Sequence, residues 1–122
     1  MQKGREEGAA ARGITRVSEQ LHNLLADLRK RLEALYGPRL VRLVLFGSQA
    51  RGDAEPGSDI DVLVVLEGPV RAGEEIRRTA NVVADLSLEN NVVFSCFFVS
   101  RNRFESELSP LLINVRREGV PV

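Results

Sequence analysis

The chain has 122 residues, enough for one domain around one core and too few for a nucleotide site together with a separate acceptor-binding domain. Its 43% hydrophobic and 28% charged residues exclude a disordered chain. Lys+Arg and Asp+Glu both number 17, with Trp 0, Tyr 1 and Phe 5, so neither a basic field nor an aromatic surface supports general nucleic-acid binding.

Residues 1–13 are polar, carry Gly4, Gly8 and Gly13, and read as a flexible N-terminal tail, which leaves 14–122 as a single domain. The tail lacks the apolar segment of a signal peptide. From Ile14 an apolar stripe recurs at helical spacing through Val17, Leu21, Leu24, Leu25, Leu28, Leu32 and Leu35, and Gly37-Pro38 stops it. His22 falls off that stripe and reads as a surface residue, and Arg29-Lys30-Arg31 as a solvated helix face. Val41–Phe46 is apolar on both faces and predicts a strand interior to a sheet. Ser48 can cap a short helical turn through Arg51, a loop follows over 53–57, and Ile60–Leu66 predicts a second buried strand. A helix over about 71–89 is expected to turn Ile76, Ala80, Val83, Ala84 and Leu86–Leu88 inward.

Val92–Val99 predicts a third strand, 100–108 a short helix, and Ser109-Pro110 opens a last helix that Gly119 ends. Arg116 and Arg117 suit its C-terminal turn. Cys96, the one cysteine, sits in an apolar run as a buried, inert thiol, and its solitude suits a reducing compartment. No stretch approaches the ~20 apolar residues of a membrane span, so no membrane contact is expected and the cytoplasm is the expected location. The order of elements predicts one α/β domain, a small sheet packed by helices.

The chemistry concentrates in Phe46-Gly47-Ser48-Gln49-Ala50-Arg51-Gly52 and Ser58-Asp59-Ile60-Asp61. Asp59 and Asp61 are two apart at a strand start, so they point to one face with Cα atoms roughly 6.5–7 Å apart. Two like charges held so closely call for a cation, and a hard, oxygen-liganded ion such as Mg²⁺ fits while leaving positions for phosphate oxygens. Gly47 allows a sharp turn and close approach to a phosphate, Ser48 offers a hydroxyl beside free N–H groups, and Arg51 can donate to a triphosphate. A lone Asp-x-Asp is more often a solvated strand end, and a lone Gly-Ser is more often just a helix start. Their joint presence at this spacing is what makes a nucleoside triphosphate site.

Together these residues resemble the DNA polymerase beta-like nucleotidyltransferase superfamily, and within it the minimal nucleotidyltransferases that accompany HEPN-domain proteins in toxin–antitoxin pairs. The resemblance spans about residues 14–118, with its specific part at 45–66. It implies a small mixed sheet packed by helices, with Asp59 and Asp61 as catalytic residues holding Mg²⁺ on ATP. Gly47, Ser48, Arg51 and Ser58 would bind the nucleotide. It further implies transfer of AMP to a hydroxyl of a HEPN toxin, for which this chain would be the antitoxin, in a homo- or hetero-oligomer.

One position departs from that pattern. Catalysing members usually carry a third acid on the next strand, where this chain has Ser95, a neutral and poor Mg²⁺ ligand. Asp53 and Glu55, in the loop between the two motif halves, are the closer candidates for a substitute, while Asp85 and Glu89 lie upstream of that strand. Losing a general base typically slows a reaction by ~10²–10⁴-fold. The alternative is therefore a weakened or inactive nucleotide-binding module that neutralises its partner by binding alone.

Overall fold

The computed structural model describes residues 17–122. The tail at 1–13 and the stripe's first member, Ile14, lie outside the described residues. Helix α1 (Glu19–Tyr36) begins where Ser18 Oγ accepts the Leu21 N–H at 3.1 Å, and it buries Leu25, Leu28, Leu32 and Tyr36. Leu35, expected on the same stripe, is instead 41% exposed, because Tyr36 takes the inward position at the helix end. Gly37 leaves the helix with φ +57°, and Pro38 sits in a single 3₁₀ turn, Gly37–Arg39.

Strand β1 (Leu40–Phe46) leads through Gly47 into the one-turn helix α2 (Ser48–Arg51), and the chain returns as β2 (Ile60–Leu66). Helix α3 (Ala72–Asn90) crosses over to β3 (Phe94–Ser100), followed by α4 (Arg101–Ser106), α5 (Pro110–Glu118) and β4 (Val120–Pro121). The sheet order is β3-β2-β1-β4. Strands β2 and β3 run parallel through the α3 crossover and the other pairs are antiparallel, so the sheet is mixed, as expected. The two-residue β4 is not apparent in the sequence, and its Pro121 suits only an edge. By covering β1 it makes β1 interior.

Period-2 alternation sorts β2 onto two faces. Ile60, Val62, Val64 and Leu66 pack with Leu28, Leu32 and Leu86 beneath α1 and α3. Leu63 and Val65 pack with Val44, Leu112 and Val115 on the α5 side. Asp59 and Asp61 share the α5-side face and lie at its open end.

The inner face of α3 differs from expectation. Leu86 is buried and Val83 is half-buried, but Leu88 is 82% exposed, and Ile76, Ala80 and Ala84 are exposed along an open groove against Phe94 and Phe98. The inward line is Glu75, Thr79 and Leu86. Glu75 can be buried because Tyr36 Oη donates to it at 2.6 Å and Arg78 stands 3.4 Å away, while Thr79 Oγ1 donates to the Glu75 carbonyl. Satisfied polar groups thus take positions that apolar periodicity alone assigns elsewhere. Arg116, beyond suiting the helix end, donates to the Phe104 and Glu107 carbonyls and ties α5 to α4. In the basic run of α1, Arg29 pairs with Glu33, and Arg31 pairs with Asp27 and Glu89, rather than being merely solvated.

Candidate active site

Antiparallel register sets Phe46 beside Asp61, and parallel register sets Ser95 on the other side of Asp61. The row Phe46–Asp61–Ser95 therefore crosses three strands on one sheet face. Phe46 and Phe97 meet edge to face, with ring centroids 5.5 Å apart, and form an apolar flank to the carboxylate. Asp59, just before the strand, receives a hydrogen bond from Ser95 Oγ to Oδ2 at 2.9 Å.

Gly47 ends β1 with φ +76° and ψ −157°, a conformation that disfavours a side chain. A Cβ added there would overlap Asp61 Oδ2. The turn and the carboxylate pair, separated in sequence by the 52–58 loop, are thus in contact. Gly47, rather than Ser48, is the cap residue of α2, and no side chain caps that turn. The Gly47 carbonyl accepts from Ala50 and Arg51 N–H groups, which leaves the Ser48 and Gln49 N–H groups unused by the turn.

Arg51 lies on this side of the molecule but points toward acids, with Nε 3.2 Å from Asp53 and Nη1 3.6 Å from Glu118. Ser58 Oγ accepts the Glu55 N–H at 3.0 Å and closes the loop on itself. Gln49 Nε2 donates to the Ser58 carbonyl at 3.4 Å and ties the loop to α2. Neither Gln49 nor Glu118 stands out in sequence, because their roles depend on contacts across the loop and from the last helix.

The Asp61 carboxyl is pushed above its ordinary pKa, first by burial and then by the Asp59 charge, while Arg51 pulls the other way. This donor set fits a hard divalent cation: two carboxylates side by side, one of them penalised when ionised, with open directions for water and phosphate oxygens. No group of three or more His, Cys, Asp or Glu side chains comes together among the described residues.

A carboxyl with a raised folded-state pKa binds more protons folded than unfolded, so its contribution becomes less favourable as pH rises from about 4 through the folded value. Asp61→Asn should therefore flatten that fall in stability. Thermal unfolding of both chains without divalent ions, between pH 3.5 and pH 7, checks this; parallel curves would refute it. Cys96 is half-buried rather than fully buried, yet desolvation by its surroundings still pushes the thiol up to about 12, which fits the inert thiol expected.

Three cavities of about 470, 420 and 290 Å³ are lined by neither Asp59 nor Asp61. Asp59 is exposed, while Asp61 and Ser95 are half-buried.

Fold and site together define a mixed α/β domain with a glycine turn packed on a paired-aspartate strand, the arrangement of a nucleotidyl-transfer enzyme. The chain belongs to the nucleotidyltransferase domain family, which matches residues 25–115. Two proteins of Methanocaldococcus jannaschii named as candidate protein adenylyltransferases are similar to it. MJ1305 is 26% identical over 99 residues, 80% of this chain and 67% of its own. MJ0141 is 26% identical over 76 residues, 62% of this chain and 76% of its own. A solved toxin–antitoxin complex with AMP-PNP contains a chain that superposes with TM-score 0.57 at 19% identity, covering 81% of this chain and 69% of that one. At that identity the likeness concerns the fold. No described helix is long and apolar enough to cross a membrane.

Proposed function

We propose that the chain transfers AMP from ATP to a hydroxyl of a partner protein, a HEPN-domain toxin, and thereby acts as its antitoxin. The observation that carries the reading is the packing of the Gly47 turn against Asp61. It joins a phosphate-sized backbone turn to a carboxylate pair on one open surface. Asp59 and Asp61 would hold Mg²⁺ with the triphosphate. Gly47 lets the phosphates approach the backbone, and the N–H groups of Ser48 and Gln49 and the Ser48 hydroxyl would bind them. Arg51 reaches them by leaving Asp53 or Glu118. Ser58 contributes by holding the loop between the two halves.

The acceptor oxygen attacks the α-phosphorus in line, the new O–P bond forms as the α–β bridging bond breaks, and pyrophosphate leaves with its electrons. The acceptor's proton passes to solvent. A bound divalent ion supplies charge neutralisation for the leaving oxygens. An exposed Asp59 suits an acceptor that brings its own surface. The names of the relatives, and the toxin–antitoxin assembly of the structural neighbour, point the same way.

One observation favours a second reading. Ser95, in the row beside Asp61, donates to Asp59 and brings no carboxylate to activate the acceptor. A module that binds nucleotide and its partner without turnover would look the same at this position. Incubation with labelled ATP, Mg²⁺ and the protein encoded beside it distinguishes the two. The expected result is an AMP adduct on the partner by mass, lost in Asp59→Asn and Asp61→Asn. A tight complex with no adduct would overturn transfer and leave the binding module.

A further inference from the structure

We propose that Ser95 restricts the carboxylate pair to a single divalent cation, so that nucleotide is held with one ion per chain. This rests on the nucleotide–metal reading above. Two-ion centres place their cations about 3.5–4 Å apart, and two dications that close need carboxylates to bridge and surround them. In the sheet row at the site, the neighbours of Asp61 are Phe46, which is apolar, and Ser95, which is neutral.

Ser95 does more than withhold a charge. Its Oγ donates to Asp59 Oδ2 at 2.9 Å, so one acceptor direction of that carboxylate is occupied by a hydroxyl proton and turned away from a second cation. The other acids the sequence offers as substitutes do not converge on the pair among the described residues. Asp53 and Glu118 both pair with Arg51. Glu89 pairs with Arg31 on α1. With no third acid converging among the described residues, a second ion has no anionic ligand of its own from the chain. Ser95 is accordingly a positioning residue: it orients Asp59 toward one ion and sets the stoichiometry.

The test is a titration of the full chain with Mn²⁺ in the presence of a non-hydrolysable ATP analogue, read by calorimetric stoichiometry and by electron paramagnetic resonance. The expected result is one Mn²⁺ per chain with the spectrum of an isolated ion. Ser95→Asp should bind two, with the broadened spectrum of a coupled pair, while Ser95→Ala should stay at one. Two coupled ions on the parent chain would overturn the proposal and leave nucleotide binding intact. So would a folded Ser95→Asp variant that binds nucleotide yet stays at one ion. If the parent chain shows no Mn²⁺-dependent nucleotide binding, the proposal falls together with the reading beneath it. Should Ser95→Asp fail to fold, the parent stoichiometry alone still decides.

Discussion

Gly47→Ala should lose metal-dependent nucleotide binding by more than ~10–100-fold, the loss typical of disturbing an outer-shell partner of a metal ligand. Two effects coincide at this residue. Its φ of +76° strains any residue with a Cβ, and that Cβ would overlap Asp61 Oδ2. The strain alone is about 1–3 kcal/mol. Relief requires either the turn to open, which moves the Ser48 and Gln49 N–H groups, or Asp61 to swing away from Asp59. Each route damages the proposed site while the core beneath β2 stays packed. Isothermal titration with an ATP analogue and Mg²⁺, beside a thermal melt, checks both consequences. A variant that binds nucleotide as well as the parent would show that turn and carboxylate do not act together.

The second large effect lies at the opposite end of the sheet and should leave nucleotide binding alone. Tyr36→Phe removes the 2.6 Å hydrogen bond to Glu75, a side chain only 3% exposed. The carboxylate then keeps only Arg78 at 3.4 Å and Arg39 at 4.0 Å. Leaving a buried carboxylate short of a donor costs about 1–3 kcal/mol, and more for a charged group than a neutral one. In a domain near this size each kcal/mol lowers Tm by roughly 4–8 °C. Burial, and then the bond to Glu75, also raise the Tyr36 hydroxyl well above its ordinary pKa, so it donates throughout the neutral range. Differential scanning calorimetry should record the drop, and unchanged affinity for the ATP analogue should separate it from the site. An unaltered Tm would mean that water or the arginines satisfy Glu75 without the phenol.

The two variants also separate what is local from what is distant in this chain. The strand over 60–66 is legible because an apolar run follows Asp61 and stops short of Gly68, and the structure places the strand at Ile60–Leu66. The Ser109-Pro110 helix start and the break at Gly37-Pro38 are legible for the same reason, since caps and ring constraints act within a few residues. The inward face of α3 was not legible. Apolar side chains lie on both of its sides, and the choice fell to a Glu–Tyr bond joining residues 36 and 75. Strand β4 escaped notice because two residues carry no periodicity, and only the exposed edge of β1 gives them a partner.

What the sequence by itself determined is the chemistry: a glycine turn, a serine, and two aspartates with a parity that points them to one face. Side-chain alternation is a property of the strand alone, so it needs no partner to be read. What only the tertiary structure decided is company. Sheet register put Phe46 and Ser95 on either side of Asp61, and α5 brought Glu118 to Arg51. Those contacts arise from pairing and packing between segments far apart in the chain, which no local pattern encodes. On the reading proposed above, they set how many ions the aspartates hold and what Arg51 releases to meet a phosphate.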